Sequence, residues 1–231
     1  MKPTKLTTYL VFAVLMGLLL LVLASAPAAP NPNPTVLPPN SNPHGASYGD
    51  WGAKWWQWAF STTLAENPVL DTTGEFAHVN QSGPVFFLAG TFGETGVVRD
   101  VTVSPGRTLF FPIANTLWLL DDPSQEEFAR EAINAWLDTV DILECTVDGV
   151  ALQDLGRYRA VSPLFTLVVE EGTILTDWGI PTGEYPSVCG GYWLMLTPLT
   201  PGNHVIYFRG GITGAFEVDV TYHLTVKGGG E

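Results

Sequence analysis

The sequence predicts a mainly β protein: an antiparallel β-sandwich of jelly-roll or immunoglobulin-like kind, with two covering helices. Three observations carry that reading. Eight stretches rich in β-branched and aromatic residues are separated by Gly/Pro turns. The last of them, residues 215–226, alternates Phe216, Val218, Val220, Tyr222, Leu224 and Val226 with Glu217, Asp219, Thr221, His223 and Thr225. That pattern marks a strand with one buried and one wet face. Only two segments carry helical spacing instead. An all-β domain of this size folds as one unit.

In chain order, Ser47-Tyr48-Gly49-Asp50 is a helix start, and Trp51, Trp55 and Trp58 follow at i, i+4, i+7 with Trp56 and Phe60 beside them. Four of the eight Trp fall in this one short stretch, and Trp56 points away from the stripe. Burial of a broad helix face is the expectation, with an exposed aromatic patch as the alternative. Strands follow at 85–89, 97–103 and 108–113, with Ser104-Pro105-Gly106 suited to a type II turn. The second helix has Asp122 as cap, Pro123 at its first position and Gln125 at its third. Phe128, Ala132, Ile133, Trp136 and Val140 form its apolar stripe, and Glu126 and Glu127 complement its dipole. Further strands are expected at 142–147, 158–169, 192–196 and 204–209, the last after a second Pro-Gly pair at Pro201-Gly202. Residues 85–88 and 164–169 are mostly apolar on both faces and are expected to be central strands lying beneath the helices or between sheets.

The segment before the domain speaks for export. Lys2 and Lys5 precede fifteen residues without a polar side chain, 10–24, and Ala26-Pro27-Ala28 fits a small-x-small cleavage site. Residues 1–28 therefore read as a signal peptide, with an uncleaved membrane anchor as the alternative. Residues 29–44 are a Pro/Asn-rich spacer, and 45–231 a single folded domain. The Pro-rich run favours extended polyproline II and a disordered mature N-terminus; a stalk would need the anchor retained. The destination is extracellular, periplasmic or cell-surface. Cys145 and Cys189 are the only cysteines, and in an oxidising compartment they are expected to form a disulfide. Closing about 45 residues would stabilise the fold by roughly 3–4 kcal/mol. Two buried free thiols are the alternative.

Of the 231 residues only 14% are charged, and the formal net charge is −13. Removing Lys2 and Lys5 with the leader leaves eight basic residues against 23 acidic, a net charge of −15. Such a surface repels phosphate backbones and excludes nucleic-acid binding. Tyr48-Gly49-Asp50-Trp51 with Trp55-Trp56-Gln57-Trp58, the run Gly83 to Thr91, Leu109-Phe110-Phe111-Pro112-Ile113 and Pro201-Gly202-Asn203-His204 resemble a group of uncharacterised secreted bacterial proteins. The resemblance spans most of 45–226 and implies an exported bacterial domain; it implies no activity.

Motifs for catalysis are missing: there is no G-x-S-x-G, H-E-x-x-H, P-loop or G-x-G-x-x-G. His44 and His223 are expected to be solvated, and His204 to hold a hydrogen-bonded or core role. A metal site from His78, His204 and His223 is the minor alternative; no metal ligand is assigned. The doublets Asp121-Asp122 and Glu170-Glu171 read as solvated faces. No cofactor is expected. Ca²⁺ would suit the carboxylates, although no D-x-D-x-D-G loop is present.

Residues 170–191 read as a long Gly/Pro-rich loop, the best place for a ligand. Its candidate binding residues are Asp177, Trp178, Glu184 and Tyr185, with Tyr192 just beyond. A flat aromatic flanked by carboxylates suits a sugar ring. The function expected is therefore non-catalytic binding at the cell surface or matrix, with a glycan or envelope component as partner. An extracellular hydrolase using Asp177 and Glu184, or a structural envelope subunit, are the alternatives.

Overall fold

A computed structural model describes Asn33 and residues 35–228. The leader and residues 29–32 and 34 of the spacer lie outside them. The rest of the spacer is docked from Thr35 onward. Val36 is buried and bridges Leu196, and the Leu37 N–H donates to the Met195 carbonyl at 2.8 Å.

The fold is mainly β, and its layers follow the chain. Helix α1 (Tyr48–Phe60) starts at Ser47, whose side chain and that of Asp50 cap each other's backbone N–H. The strands β1 (Val85–Phe87), β2 (Val97–Val103) and β3 (Thr108–Leu119) follow. Next come helix α2 (Glu126–Asp138), the hairpin β4 (Ile142–Val147) and β5 (Val150–Ala151), then β6 (Arg159–Val161) and β7 (Phe165–Val169). The short helix α3 (Ile174–Asp177) leads into β8 (Gly183–Leu196), β9 (Gly202–Ile212) and β10 (Phe216–Val226).

Among the described residues these strands form two five-stranded sheets. One has the order β1-β3-β8-β6, with β7 also on β8; the other runs β2-β10-β9-β4-β5. The sheets are mixed rather than antiparallel, because β1 pairs with β3 and β10 with β2 in parallel. The Pro105-Gly106 turn explains part of this: it carries the chain from β2 in one sheet to β3 in the other, so neither can hairpin onto its sequence neighbour. Gly106 takes φ 78° there, a value that favours glycine.

Strand alternation sorts the layers. Phe110 and Trp193 stack at 5.3 Å on the face that α1 covers, where Trp51 and Tyr48 meet Phe110. Phe111 turns the other way and stacks on Phe208 of β9 at 5.0 Å, joining the two sheets. Helix α2 covers that second face at one end. A Cβ at Gly190 would lie 2.4 Å from Ile133, so glycine permits the close approach. Of the stripe read from the larger side chains, Ile133 is buried and Trp136 and Val140 are partly buried against the core, while Ala129 and Leu137 complete the buried face. Phe128 is 62% exposed and meets the exposed Trp118 edge-on.

Three further expectations need correction. β1 and β7 lie at sheet edges rather than in the centre; β1 is buried because α1 and its Trp side chains cover it, whereas Val168 of β7 is exposed. Residues 183–191 are strand, since β8 is a 14-residue backbone shared by β3, β6 and β7. Cys145 and Cys189 are free and buried. They belong to different sheets, and the alternation that sets Gly190 and Tyr192 against α2 turns Cys189 to the opposite face. Burial pushes the Cys189 thiol up to about 12, and that of Cys145 higher still.

Candidate functional site: an apolar cavity at the end of helix α1

β1 pairs with only the first residues of β3, ending at Phe87 opposite Phe110. Beyond Phe110 no described strand takes the place of β1, and the chain turns away at Ala89 and Gly90. A cavity of about 490 Å³ opens beside this part of β3.

The turn is held by Arg99, a fully buried side chain. Its guanidinium donates to the carbonyls of Asp71, Ala89, Val69 and Gly90 and to the Tyr222 hydroxyl. Five acceptors together stand in for water around the cation. Val69 and Gly90 both border the cavity, so Arg99 sets one of its walls. Phe92 follows in a tight loop in which its N–H and the Thr91 hydroxyl both donate to Glu94.

Helix α1 supplies Trp55, Trp56 and Phe60. Of its four indoles, three donate to carbonyls: Trp51 to Pro43, Trp55 to Leu88 and Trp58 to Val79, each at 2.9 Å. Trp56 is the exception. It is 7% exposed, stacks on Phe60 at 5.1 Å, and its Nε1–H is buried without a partner.

Strand β3 supplies Asn115, Leu117 and Leu119 through a β-bulge. Register slips between Pro112 and Ala114, so Ile113 is the extra residue and the later side chains change face. Phe110 lies on the α1 face, and without the bulge Asn115 would lie on the opposite one. Its Nδ2 is also buried and unpartnered, as is the nearby Trp193 Nε1. A Cβ on Gly191 would come within 2.8 Å of both Asn115 Cβ and Trp193 Nε1. Glycine there makes room for both side chains.

The far side is closed by Leu175, Trp178 and Ile180 around α3, and by Trp136 with Phe216, whose rings meet at 6.3 Å. Trp178 is 55% exposed and packs edge-on against Phe92 at 5.0 Å, so it stands at the mouth. No ionisable side chain lines the cavity.

Of the five binding residues read from the sequence, only Trp178 is here. Asp177 is exposed at the end of α3, and Glu184 is exposed on β8 opposite Val168. The Tyr185 hydroxyl donates to the Pro181 carbonyl, and buried Tyr192 donates to Leu137 on the α2 face. Trp56 carried a signal, as the Trp off the helical stripe. Asn115 carried none, because its face depends on the bulge. Elsewhere, His204 bonds Asp148 and the Thr200 carbonyl, and exposed His223 meets Asp100. Among the described residues no three His, Cys, Asp or Glu side chains gather as a metal site. Nor is any described helix long and apolar enough to cross a membrane. Comparison with protein families, with curated proteins and with solved structures finds no match to this chain.

Proposed function

We propose that this chain is an exported, non-catalytic binding protein of the cell surface or extracellular matrix, whose cavity holds a small, mainly apolar molecule. The observation that carries this is the lining: about 490 Å³ walled by aromatic and aliphatic side chains without one titratable group. Small-molecule sites run from about 300 to 1,000 Å³ and combine apolar walls with few polar groups. General acid–base chemistry needs a titratable group within reach of the reacting atoms. Asp177 and Glu184, the carboxylates a hydrolase would use, stand outside the cavity. A glycan would bring several hydroxyls, each needing a partner, and the walls offer few. The export half of the reading rests on the leader and on the acidic, Lys-poor domain.

The test is titration with N-phenyl-1-naphthylamine, a neutral probe that brightens in apolar surroundings. A saturable rise is expected, weakened at least about tenfold by Leu117→Trp, which fills the cavity with bulk. A Trp178→Ala variant should show a smaller loss, since Trp178 covers only the mouth. No saturable rise, or a rise indifferent to Leu117→Trp, would sink the proposal.

A further inference from the structure

The cavity follows an unpaired strand edge, and on the reading that it is a ligand site this edge names the ligand more closely. Cys189 of β8 commits both backbone groups to Ser162, on the side of β6. Its N–H donates to the Ser162 hydroxyl at 2.9 Å, and its carbonyl accepts from the Ser162 N–H at 2.8 Å. Leu117 lies opposite Cys189 across β3 and β8, so the two form a non-hydrogen-bonded pair of the antiparallel ladder. The N–H and C=O of Leu117 therefore point away from β8, and by alternation so do those of Asn115 and Leu119. The Leu120 N–H, which donates to the Pro186 carbonyl of β8, keeps the same alternation. Among the described residues, none bonds the backbone groups of Asn115, Leu117 or Leu119 on this free edge.

The free edge faces the cavity. Asn115, Thr116 and Leu117 all line it, although successive side chains of a strand point to opposite faces, so the space runs along the edge of β3. Its walls come from both layers: Trp56 and Phe60 from α1, Phe216 and Val218 from β10 of the second sheet. Space beside a strand edge and walled on both faces is the position of a further strand. β1 begins in that position and leaves it after Phe87. From Asn115 to Leu119 the free edge runs about 13 Å, the length of a short extended peptide. A second folded copy would bring covering layers of its own, for which the walls leave no room.

We propose that the ligand is a short apolar peptide that pairs with the free edge of β3 as an added strand and carries a basic residue beside its apolar part. In strand addition the main chain supplies affinity and the side-chain pockets supply specificity. Walls without a titratable group suit apolar side chains, because a charge buried there would stay unpaired. Exposed Glu94, Asp121 and Asp177 stand within two residues of the lining residues Phe92, Leu119 and Trp178. With a formal charge of −13 on the chain, these acids complement a Lys or Arg outside the cavity. A hydrocarbon would push water off the β3 edge without replacing its hydrogen bonds, and so lose affinity.

The test is calorimetric titration of the full chain with acetyl-Leu-Ala-Leu-Ala-Leu-Lys-amide, with displacement of N-phenyl-1-naphthylamine read alongside. Two further peptides carry N-methyl groups, one on both Ala nitrogens and the other on the second and third Leu nitrogens. An added strand turns only alternate N–H groups toward β3. One methylated peptide should therefore bind at least about tenfold more weakly, and the other close to the parent. Leu119→Pro removes an N–H from the free edge while sparing the ladder to β8, a placement that strands tolerate. It should weaken the parent peptide several-fold and leave the dye bound; if it melts early, the methylated pair decides. Equal binding of all three peptides, or no peptide binding while the dye binds, would overturn the strand inference and leave the cavity reading standing. Replacing the peptide's Lys with Glu should cost several-fold, and equal affinity would overturn the basic flank. A dimeric chain that refuses the peptide would give the position to a second copy. A leader-free chain that alone accepts it would give the position to the chain's own N-terminal segment. Either result would overturn the proposal. If neither dye nor peptide binds, the cavity reading and this inference fall together.

Discussion

His204 sits between two acceptors: its Nδ1 meets Asp148 Oδ2 and its Nε2 meets the Thr200 carbonyl, both at 2.8 Å. An imidazole can donate from both nitrogens only when protonated. The Asp148 bond holds its pKa above the ordinary 6.5, against a smaller opposing effect of burial. Burial pulls Asp148 up, but donation from His204 and the Val205 N–H outweighs it and holds the carboxyl low. For a raised pKa, the stabilisation is complete below the unfolded value and is lost as pH rises through the folded one. Asp148 behaves in reverse, contributing above its unfolded value and failing as pH falls through its lowered one. The melting-temperature difference between the protein and His204→Gln should therefore be largest near pH 5.5 to 6 and shrink toward pH 9. A difference constant across that range would refute the account. Trp56 is the converse case, a polar group left without its partner. An unmet buried donor costs about 1–3 kcal/mol.

Gly190, within β8, shows how the elements constrain one another. Strand interiors disfavour glycine, yet here α2 lies so close that a Cβ would sit 2.4 Å from Ile133 Cγ2 and 3.0 Å from Leu137 Cδ1. Gly190→Ala should destabilise by about 1–3 kcal/mol through overpacking. Ile133→Ala alone should cost about 2–5 kcal/mol through the cavity it leaves. Because one substitution fills part of the space the other empties, the double variant should be more stable than the sum of the two losses implies. Urea unfolding of all four proteins measures this, and strict additivity would show that α2 and β8 do not press on each other there. The bulge at Ile113 is a second device on the same scale. One inserted residue moves Asn115, Leu117 and Leu119 to the α1 face and so builds a wall of the cavity.

Across the molecule, the first sheet is a central layer, with α1 on one face and the second sheet with α2 on the other. No cross-link joins these layers, because Cys145 and Cys189 lie in different sheets as free thiols. Packing holds them: Trp51 and Trp55 of α1 meet Phe110 and Trp193 on one face of the first sheet, Phe111 stacks on Phe208 across the other, and Arg99 ties the chain near residues 69–71 and 89–90 to the second sheet. The purified domain should react with no thiol reagent while folded and with two equivalents once unfolded in denaturant. Dithiothreitol should leave its melting temperature unchanged. A stability loss on reduction, or fewer than two thiols in the unfolded chain, would contradict this arrangement.

Local chemistry was legible in the residues themselves. The Ser47–Asp50 and Asp122–Gln125 caps, the alternation of 216–226 and the bounds of β2 and β4 depend on neighbours in sequence, and each formed where its residues specify. Trp178 was singled out for the same reason, being a large aromatic in a segment rich in Gly and Pro, and it stands at the mouth of the cavity. The partners of those elements were not. Parallel pairing of β1 with β3 and of β2 with β10, the separation of the cysteines and the edge position of β7 depend on which sheet each strand joins. Turns that cross between sheets decide that, and no local pattern records it. The cavity belongs to the same class. Trp56 and Asn115 are 59 residues apart in the sequence. They line one cavity only because β1 stops short, Arg99 turns the chain away, and a single bulged residue reverses the face of β3.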